Sequence, residues 1–342
     1  MLEMVIENHA IRFGPRCAVS FQRTLRIPDD GRTYPLPPGL GAFRIHRVDD
    51  YKDNLPQEWQ KEGSAFITMY QREALWIGFR GAAWKPNAVK IEIGGINAVS
   101  GRKFKEGLSN EPQDYVVIPD QPWLDGINTG PGKVRQFVAM ALGLGYTVEA
   151  ALSGEEKHGG MRITVYEPRP GRFPDTPPLE PAAGPQKLAM PFAKKASEPG
   201  MGLGAGGAMK QKIYPDAHGI DVWDQTNYGS LTVHILNSDQ YRMVTGEDPP
   251  PTPIDAATYS QHNLPWFELY DEEKQDVAPS EQLAGAKTIA ERDQEQGIES
   301  DSGEDIRIEE TQIKKLGKSG PPGDKSITKT RKIGNTKKRH DK

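Results

Sequence analysis

The sequence predicts a mainly β protein: a β-sandwich-like body, a proline-rich arm, a small α/β extension packed on that body, and a disordered C-terminal tail. Three observations carry this reading. Apolar residues recur at every second position through the first half, the mark of strands with one buried face. Clusters of Gly, Pro, Asn and Asp punctuate the same region at short intervals, as tight reversals require. Composition then changes at residue 168 and again after residue 292.

The body is expected over residues 1–167. "MLEMVIENHAIRF" alternates and carries Glu3 and Glu7 where a secretory leader would be basic and apolar, so it reads as a first strand. In "CAVSFQRTLRI" the residues Cys17, Val19, Phe21, Leu25 and Ile27 share a face. Leu75, Ile77 and Phe79 do so in "EALWIGF", as do Val89, Ile91 and Ile93 in "AVKIEI", with Lys90 and Glu92 opposite. "YTVEAALSGEEKHGGMRITVY" reads as a hairpin, Tyr146–Leu152 returning as Met161–Val165 around a glycine-bearing reversal. The turn count suggests roughly ten or more strands.

Residues 168–207 are expected to form a proline- and glycine-rich arm, because "PRPGRFPDTPPLEPAAGPQ" removes too many backbone donors for regular structure. Residues 208–292 form the extension: a strand at "SLTVHIL", then a short helix in "NSDQYRMVTG" capped by Asn237 or Ser238 and stopped at Gly246. Further helices are expected around 254–262 and over 280–291, the last capped by Ser280. Residues 293–342 are polar and charge-blocked, a composition that buries too little apolar area to offset chain entropy.

Charge is polarised at this end. Residues 271–310 carry 4 Lys/Arg against 14 Asp/Glu, whereas 311–342 carry 11 against 2, and the whole chain of 342 residues has a formal charge of −4. The basic clusters Lys314, Lys315 and Lys337, Lys338, Arg339 could touch phosphate backbones or serve as a nuclear-import signal, but no aromatic residue accompanies them for base stacking. Nucleic-acid contact is therefore expected only through this tail. No apolar run approaches the roughly 20 residues of a spanning helix. The single cysteine, Cys17, offers no internal disulfide, which favours a cytoplasmic or nuclear setting.

"GMGLGAGGAMKQKI" raises the question of a phosphate-cradling loop, since Gly202, Gly204 and Gly207 match a dinucleotide fingerprint. That motif works between a strand and a helix, with the helix N-terminus facing the pyrophosphate. Here a proline-rich arm leads in, an alternating segment leads out, and no GK[ST] follows. The glycines are read as a flexible link or as close backbone packing against a sheet. For metal, "YPDAHGIDVWD" places Asp216, His218, Asp221 and Asp224 within nine residues, and "GEEKH" adds the weaker set Glu155, Glu156 and His158. Neither has zinc or EF-hand spacing. No cofactor is predicted, and a divalent cation at Asp216–Asp224 is the one candidate.

Trp76, Trp84 and Trp123, with Asp120 and Asp125 nearby, suggest a recognition face, because ring faces cover apolar patches while carboxylates take hydroxyl or amide hydrogen bonds. The plainer alternative, which carries more weight, is that the tryptophans fill the second face of a covered sheet. His234 lies on the less apolar face of its strand and reads as a surface histidine. Nothing in the sequence selects a catalytic residue.

The segments "MYQREALWIGF", "PQDYVVIPDQPWLDGI", "VRQFVAMALGLGYTVEAALSGEEKHGGMRITVY", "MKQKIYPD" and "LTVHILNSDQYRMVTGEDPPPTP" together resemble a family of uncharacterised proteins shared by bacteria and filamentous fungi. Some members of that family are labelled integral membrane proteins. The resemblance spans roughly residues 10 to 290 and implies no activity or catalytic residue. Its membrane label conflicts with the polarity of the chain, which carries more weight. The expected function is non-catalytic recognition or scaffolding inside the cell, of a protein, peptide or saccharide. The alternative is a metal-assisted hydrolase or other enzyme using His218 with nearby carboxylates.

Overall fold

Most of the period-two patterning becomes strands, and the computed structural model describes residues 1–60, 63–177, 200–253, 265–269, 274–298, 306 and 308–316. The chain opens with β1 (Met4–Glu7) and β2 (Ala10–Phe13), then β3 (Cys17–Thr24). Short pieces β4 (Thr33–Tyr34), β5 (Gly39–Ala42) and β6 (His46–Arg47) lead to β7 (Ala65–Met69), β8 (Ala74–Arg80) and β9 (Asn87–Ile93). Next come β10 (Ile96–Asn97), β11 (Val116–Ile118), β12 (Trp123–Leu124), β13 (Gly126–Gly130) and β14 (Lys133–Ala141). Helix α1 (Val148–Ser153) precedes β15 (Met161–Pro168), followed by β16 (Met201–Lys210), β17 (Trp223–Asn237) and α2 (Ser238–Thr245). The described chain ends with β18 (Trp266–Leu269), α3 (Glu281–Ala284), α4 (Ile289–Glu295) and β19 (Ile313–Leu316).

Strands β1 to β17 belong to one hydrogen-bonded sheet, almost wholly antiparallel, that folds over on itself. One group runs β2–β3–β8–β14–β16, and the other runs β11–β9–β15–β17–β7. The groups meet where Met201 of β16 pairs with Ile235 of β17, and where Leu2, just ahead of the β1–β2 hairpin, donates its backbone N–H to the carbonyl of Tyr228 in β17 at 3.0 Å. Between them lies one buried core, with Val19, Phe21, Leu75 and Ile77 from the first group and Ile91, Ile163 and Val233 from the second. This is the expected mainly β, sandwich-like body. Cys17 is sealed in that core at 1 % exposure, and burial pushes its thiol pKa up. No helix among the described residues is long and apolar enough to cross a membrane.

The glycine stretch is neither a phosphate loop nor a link. Met201–Lys210 is a buried strand paired along its length with β14, and no helix springs from it. Its glycines admit neighbours to within contact of the backbone. A Cβ at Gly206 would lie 2.6 Å from Val138 Cγ2, and one at Gly204 would lie 2.8 Å from the carbonyl of Tyr146. At Gly207 it would collide with the carbonyls of Ile27, at 2.7 Å, and Pro28. The arm expected over 168–207 therefore stops short of residue 201. Strands β16 and β17 lie inside the sheet and do not form a separate extension.

The hairpin expected at 146–165 is also corrected. Tyr146–Leu152 does not pair with β15, which lies instead between β9 and β17. Thr147 caps a helix there, its hydroxyl accepting from Ala150 N at 3.0 Å, and Gly154 closes it in the left-handed conformation. Capping at both ends outweighs alternation in so short a segment. Helix α2 forms as expected between Asn237 and Gly246. The helix expected over 280–291 is two: α3, capped by Ser280, ends at Gly285, and α4 starts afresh at Thr288 with a capping box to Glu291.

Disorder from residue 293 onward is corrected in part. Asp293, fully buried, accepts two hydrogen bonds from Arg72, at 2.7 and 2.6 Å, and one from Tyr146 at 2.7 Å. Arg72 occupies the left-handed region at φ 64°, a strained conformation that the pair helps to hold. Residues 313–316 pair in parallel with β18. Residues 178–199, the helix expected around 254–262 and the tail from 317, with Lys337, Lys338 and Arg339, lie outside the described residues.

Two outcomes test this architecture. Gly207→Ala should lower unfolding stability by about 3 kcal/mol in urea titrations, the upper range for a forced overpacking. Asp293→Ala should cost about 3 kcal/mol at pH 7, because it strands a partly buried guanidinium. Arg72 holds the Asp293 carboxyl below the usual carboxylate range. That stability is therefore present above about pH 4. It is lost as pH falls through the lower folded value, so the gap between wild type and variant should close in acid.

Candidate functional site

Strands β9, β15 and β17 place two kinds of side chain on opposite faces. Ile91, Ile163 and Leu231 stand in register toward the core. On the other face Glu92, Arg162 and Thr232 form one cross-strand row, and Lys90, Thr164 and Ser230 the next. His234 continues this face two residues beyond Thr232.

The polar face is partly roofed, with Arg162, Ser230 and Thr232 half-buried beneath the cover. At one end the segment 103–114 closes over it: Lys90 Nζ donates to the carbonyls of Lys105 (2.6 Å) and Gly107 (2.8 Å) and pairs with Asp114 at 2.8 Å. The Arg162 guanidinium lies 4.3 Å from the ring centroid of Phe104. At the other end the 3₁₀ turn Gln57–Trp59 brings Trp59 flat onto His234, centroids 4.2 Å apart and planes within 7°. Trp59 is seated by a satellite core of Val48, Leu55, Phe66 and Leu236.

Between the two roofs lies a cavity of about 380 Å³ lined by Glu92, Arg162, Thr232 and His234, with Trp59 and Leu142 among its walls. That volume suits a small molecule. Lys157 and His158 stand exposed at its rim, on a loop fixed from below. The buried carboxylate of Glu149 accepts from the backbone N–H groups of Lys157 (2.9 Å), His158 (2.9 Å) and Gly159 (3.0 Å). Glu156 likewise takes the amides of Gly143 and Gly145 and the hydroxyl of Thr147.

Glu92 is the exception among these carboxylates. It is 1 % exposed, and its Oε1 has no hydrogen-bond partner. Burial pushes its pKa up to about 7, against the opposing pull of Lys90 and Arg162. A buried carboxylate short of a partner beside a cavity calls for an explanation, and it makes Glu92 the candidate polar group of this site.

Of the site residues expected from the sequence only His158, from the weaker metal set, lines this cavity, and none of the expected recognition face or of Asp216–Asp224 does. Trp76 and Trp123 are fully buried and meet edge to face, centroids 6.2 Å apart, so they form no recognition surface. The outer face of β8 is covered as well: a Cβ on Gly39 would lie 3.1 Å from Trp76 Cζ2. Asp125 is fully buried and accepts from Gln211 Nε2 at 2.6 Å. Trp84 is half-buried under Arg16, and Asp120 is exposed.

The expected cation site dissolves into loop structure. Asp216 accepts from Tyr115 Oη (2.6 Å), Trp223 Nε1 (2.8 Å) and His218 N (2.8 Å). His218 packs edge-on against Phe173 and Trp223. Asp224 accepts from the backbone and hydroxyl of Thr226, and Asp221 is exposed. Among the described residues no group of three or more His, Cys, Asp or Glu is placed to hold a metal ion. No family model matches the chain, and neither a curated protein nor a solved structure matches it.

The raised pKa of Glu92 sets a pH test. Below about pH 4.5 its carboxyl is protonated both folded and unfolded, and it costs nothing. Between there and about pH 7 only the unfolded chain ionises, so stability falls as pH rises. Glu92→Gln should therefore raise the melting temperature most above pH 7 and least near pH 4.5, as read by circular dichroism.

Proposed function

We propose that the protein is a non-catalytic intracellular binding protein whose ligand is a small polar molecule held in the cavity over Glu92, Arg162, Thr232 and His234. The observation that carries the reading is Glu92, a buried carboxylate with one oxygen unpartnered, among the residues that line a cavity of about 380 Å³. A buried acceptor left empty is expensive, and a ligand that donates to it recovers that cost. Stacked Trp59 and His234 form one rigid wall, and the pinned loop bearing Lys157 and His158 forms another, so the cavity needs little ordering to receive a ligand. The intracellular setting rests on a single cysteine buried as a thiol. No observation favours the metal-assisted alternative, since Asp216 and Asp224 are engaged in hydrogen bonds of their own loop.

A melting-temperature screen of the full chain against small polar metabolites tests this. At a hundred times its dissociation constant, a ligand should add about 2.7 kcal/mol of stability. The shift should be lost or much reduced in a variant that alters the cavity floor, Thr232→Val with His234→Ala. A screen in which nothing shifts the wild type, or in which the double variant responds equally, rejects the cavity as the site.

A further inference from the structure

We infer that the cavity recognises a free α-amino acid, its ammonium group on Glu92 and its carboxylate on Arg162. This rests on the binding reading above and narrows it to one ligand chemistry. Glu92 and Arg162 are direct cross-strand partners on the cavity floor. Their Cα atoms are thus about 5 Å apart. Two opposite charges so placed would ordinarily close on each other. Here Arg162 is drawn over the Phe104 ring, and Glu92 Oε1 is left without a partner. The two are neighbours on one wall without closing on each other, and an ammonium and a carboxylate on the same carbon would answer both.

Charge balance points the same way. Glu58 and Glu92 face Lys157 and Arg162 around the cavity. A lone cation or a lone anion would satisfy one member of the floor pair and leave the other desolvated, whereas a zwitterion satisfies both. Lys157 at the rim is paired with Glu155 at 2.6 Å, which leaves Arg162 as the cation of the floor. Leu142, Met161 and the Trp59 edge supply apolar wall for a side chain.

Binding should be linked to pH, because the ammonium group needs Glu92 ionised. The charged and titratable groups facing it are Lys90 on its own strand, Arg162 on β15, His234 on β17 and Asp114 from the overlying segment. Glu58, Lys157 and His158 add to these at the rim. With Glu92 titrating at about 7 when the cavity is empty, affinity should weaken about tenfold per unit as pH falls below that value. Glu92→Gln should bind more weakly and lose this dependence.

The test is calorimetric titration of the full chain with each of the standard L-amino acids, then with the N-acetyl and carboxamide forms of any that bind, and with free monosaccharides. The expected result is at least one amino acid whose affinity drops tenfold or more when either charge is blocked. Arg162→Gln should weaken it by a similar factor, with the melting temperature checked alongside. The blocked forms are tried on the wild type, so the result stands even where a variant fails to fold. Equal binding of blocked and free forms overturns the inference. So does binding of a monosaccharide with no response to amino acids, which leaves the cavity a binding site of another chemistry. Silence toward the amino acids overturns the inference as well, and silence toward the wider metabolite screen also removes the binding reading.

Discussion

Everything about the cavity depends on the register of β15 between β9 and β17. Arg162 lies opposite Glu92 on one side and Thr232 on the other, while Ile163 lies between Ile91 and Leu231. Strand side chains alternate, so a slip of one residue would turn the isoleucine row to the polar side and drive Arg162 into the core. The register is therefore enforced by the hydrophobic effect acting on the apolar face. The polar face inherits its arrangement without having to stabilise it, and a floor built this way can afford groups that are individually unfavourable.

The contrast among buried carboxylates gives that statement content. Asp293 is met by Arg72 and Tyr146, Asp125 by Gln211, and Glu149 by three backbone amides. Each of these has its donors in place. Glu92 alone in this set is left with a bare oxygen, in a position where its neighbours Lys90 and Arg162 are committed to a carbonyl pair and an aromatic ring.

Much of the fold was legible in the chain because it is written locally. Alternation at 17–27, 75–79 and 89–93 marked strands, and Asn237 with Gly246 bounded α2. Absence of a helix after the glycine stretch correctly removed the phosphate reading. What misled was a local signal with two meanings: Val148, Ala150 and Leu152 alternate, yet Thr147 and Gly154 close a helix around them. The site was far less legible. Trp76 and Trp123 sit on faces whose covering comes from segments distant in sequence, so exposure could not be read from spacing. Glu92, Arg162 and His234 each looked like an ordinary outward residue of a half-buried strand. The alternation of polar residues in "AVKIEI", "MRITVY" and "SLTVHIL" was visible, but not that these three strands are adjacent, nor that Phe104 and Trp59 roof them over.

Cys17 has a practical consequence beyond its place in the core. It is the single sulfhydryl of the chain, almost wholly shielded from solvent and kept in its unreactive protonated form. Maleimide dyes and spin labels would leave the native molecule unmarked. A cysteine placed on the exposed loop at Lys157 would then be the sole addressable position, carrying a reporter at the entrance while the parent protein serves as its own blank.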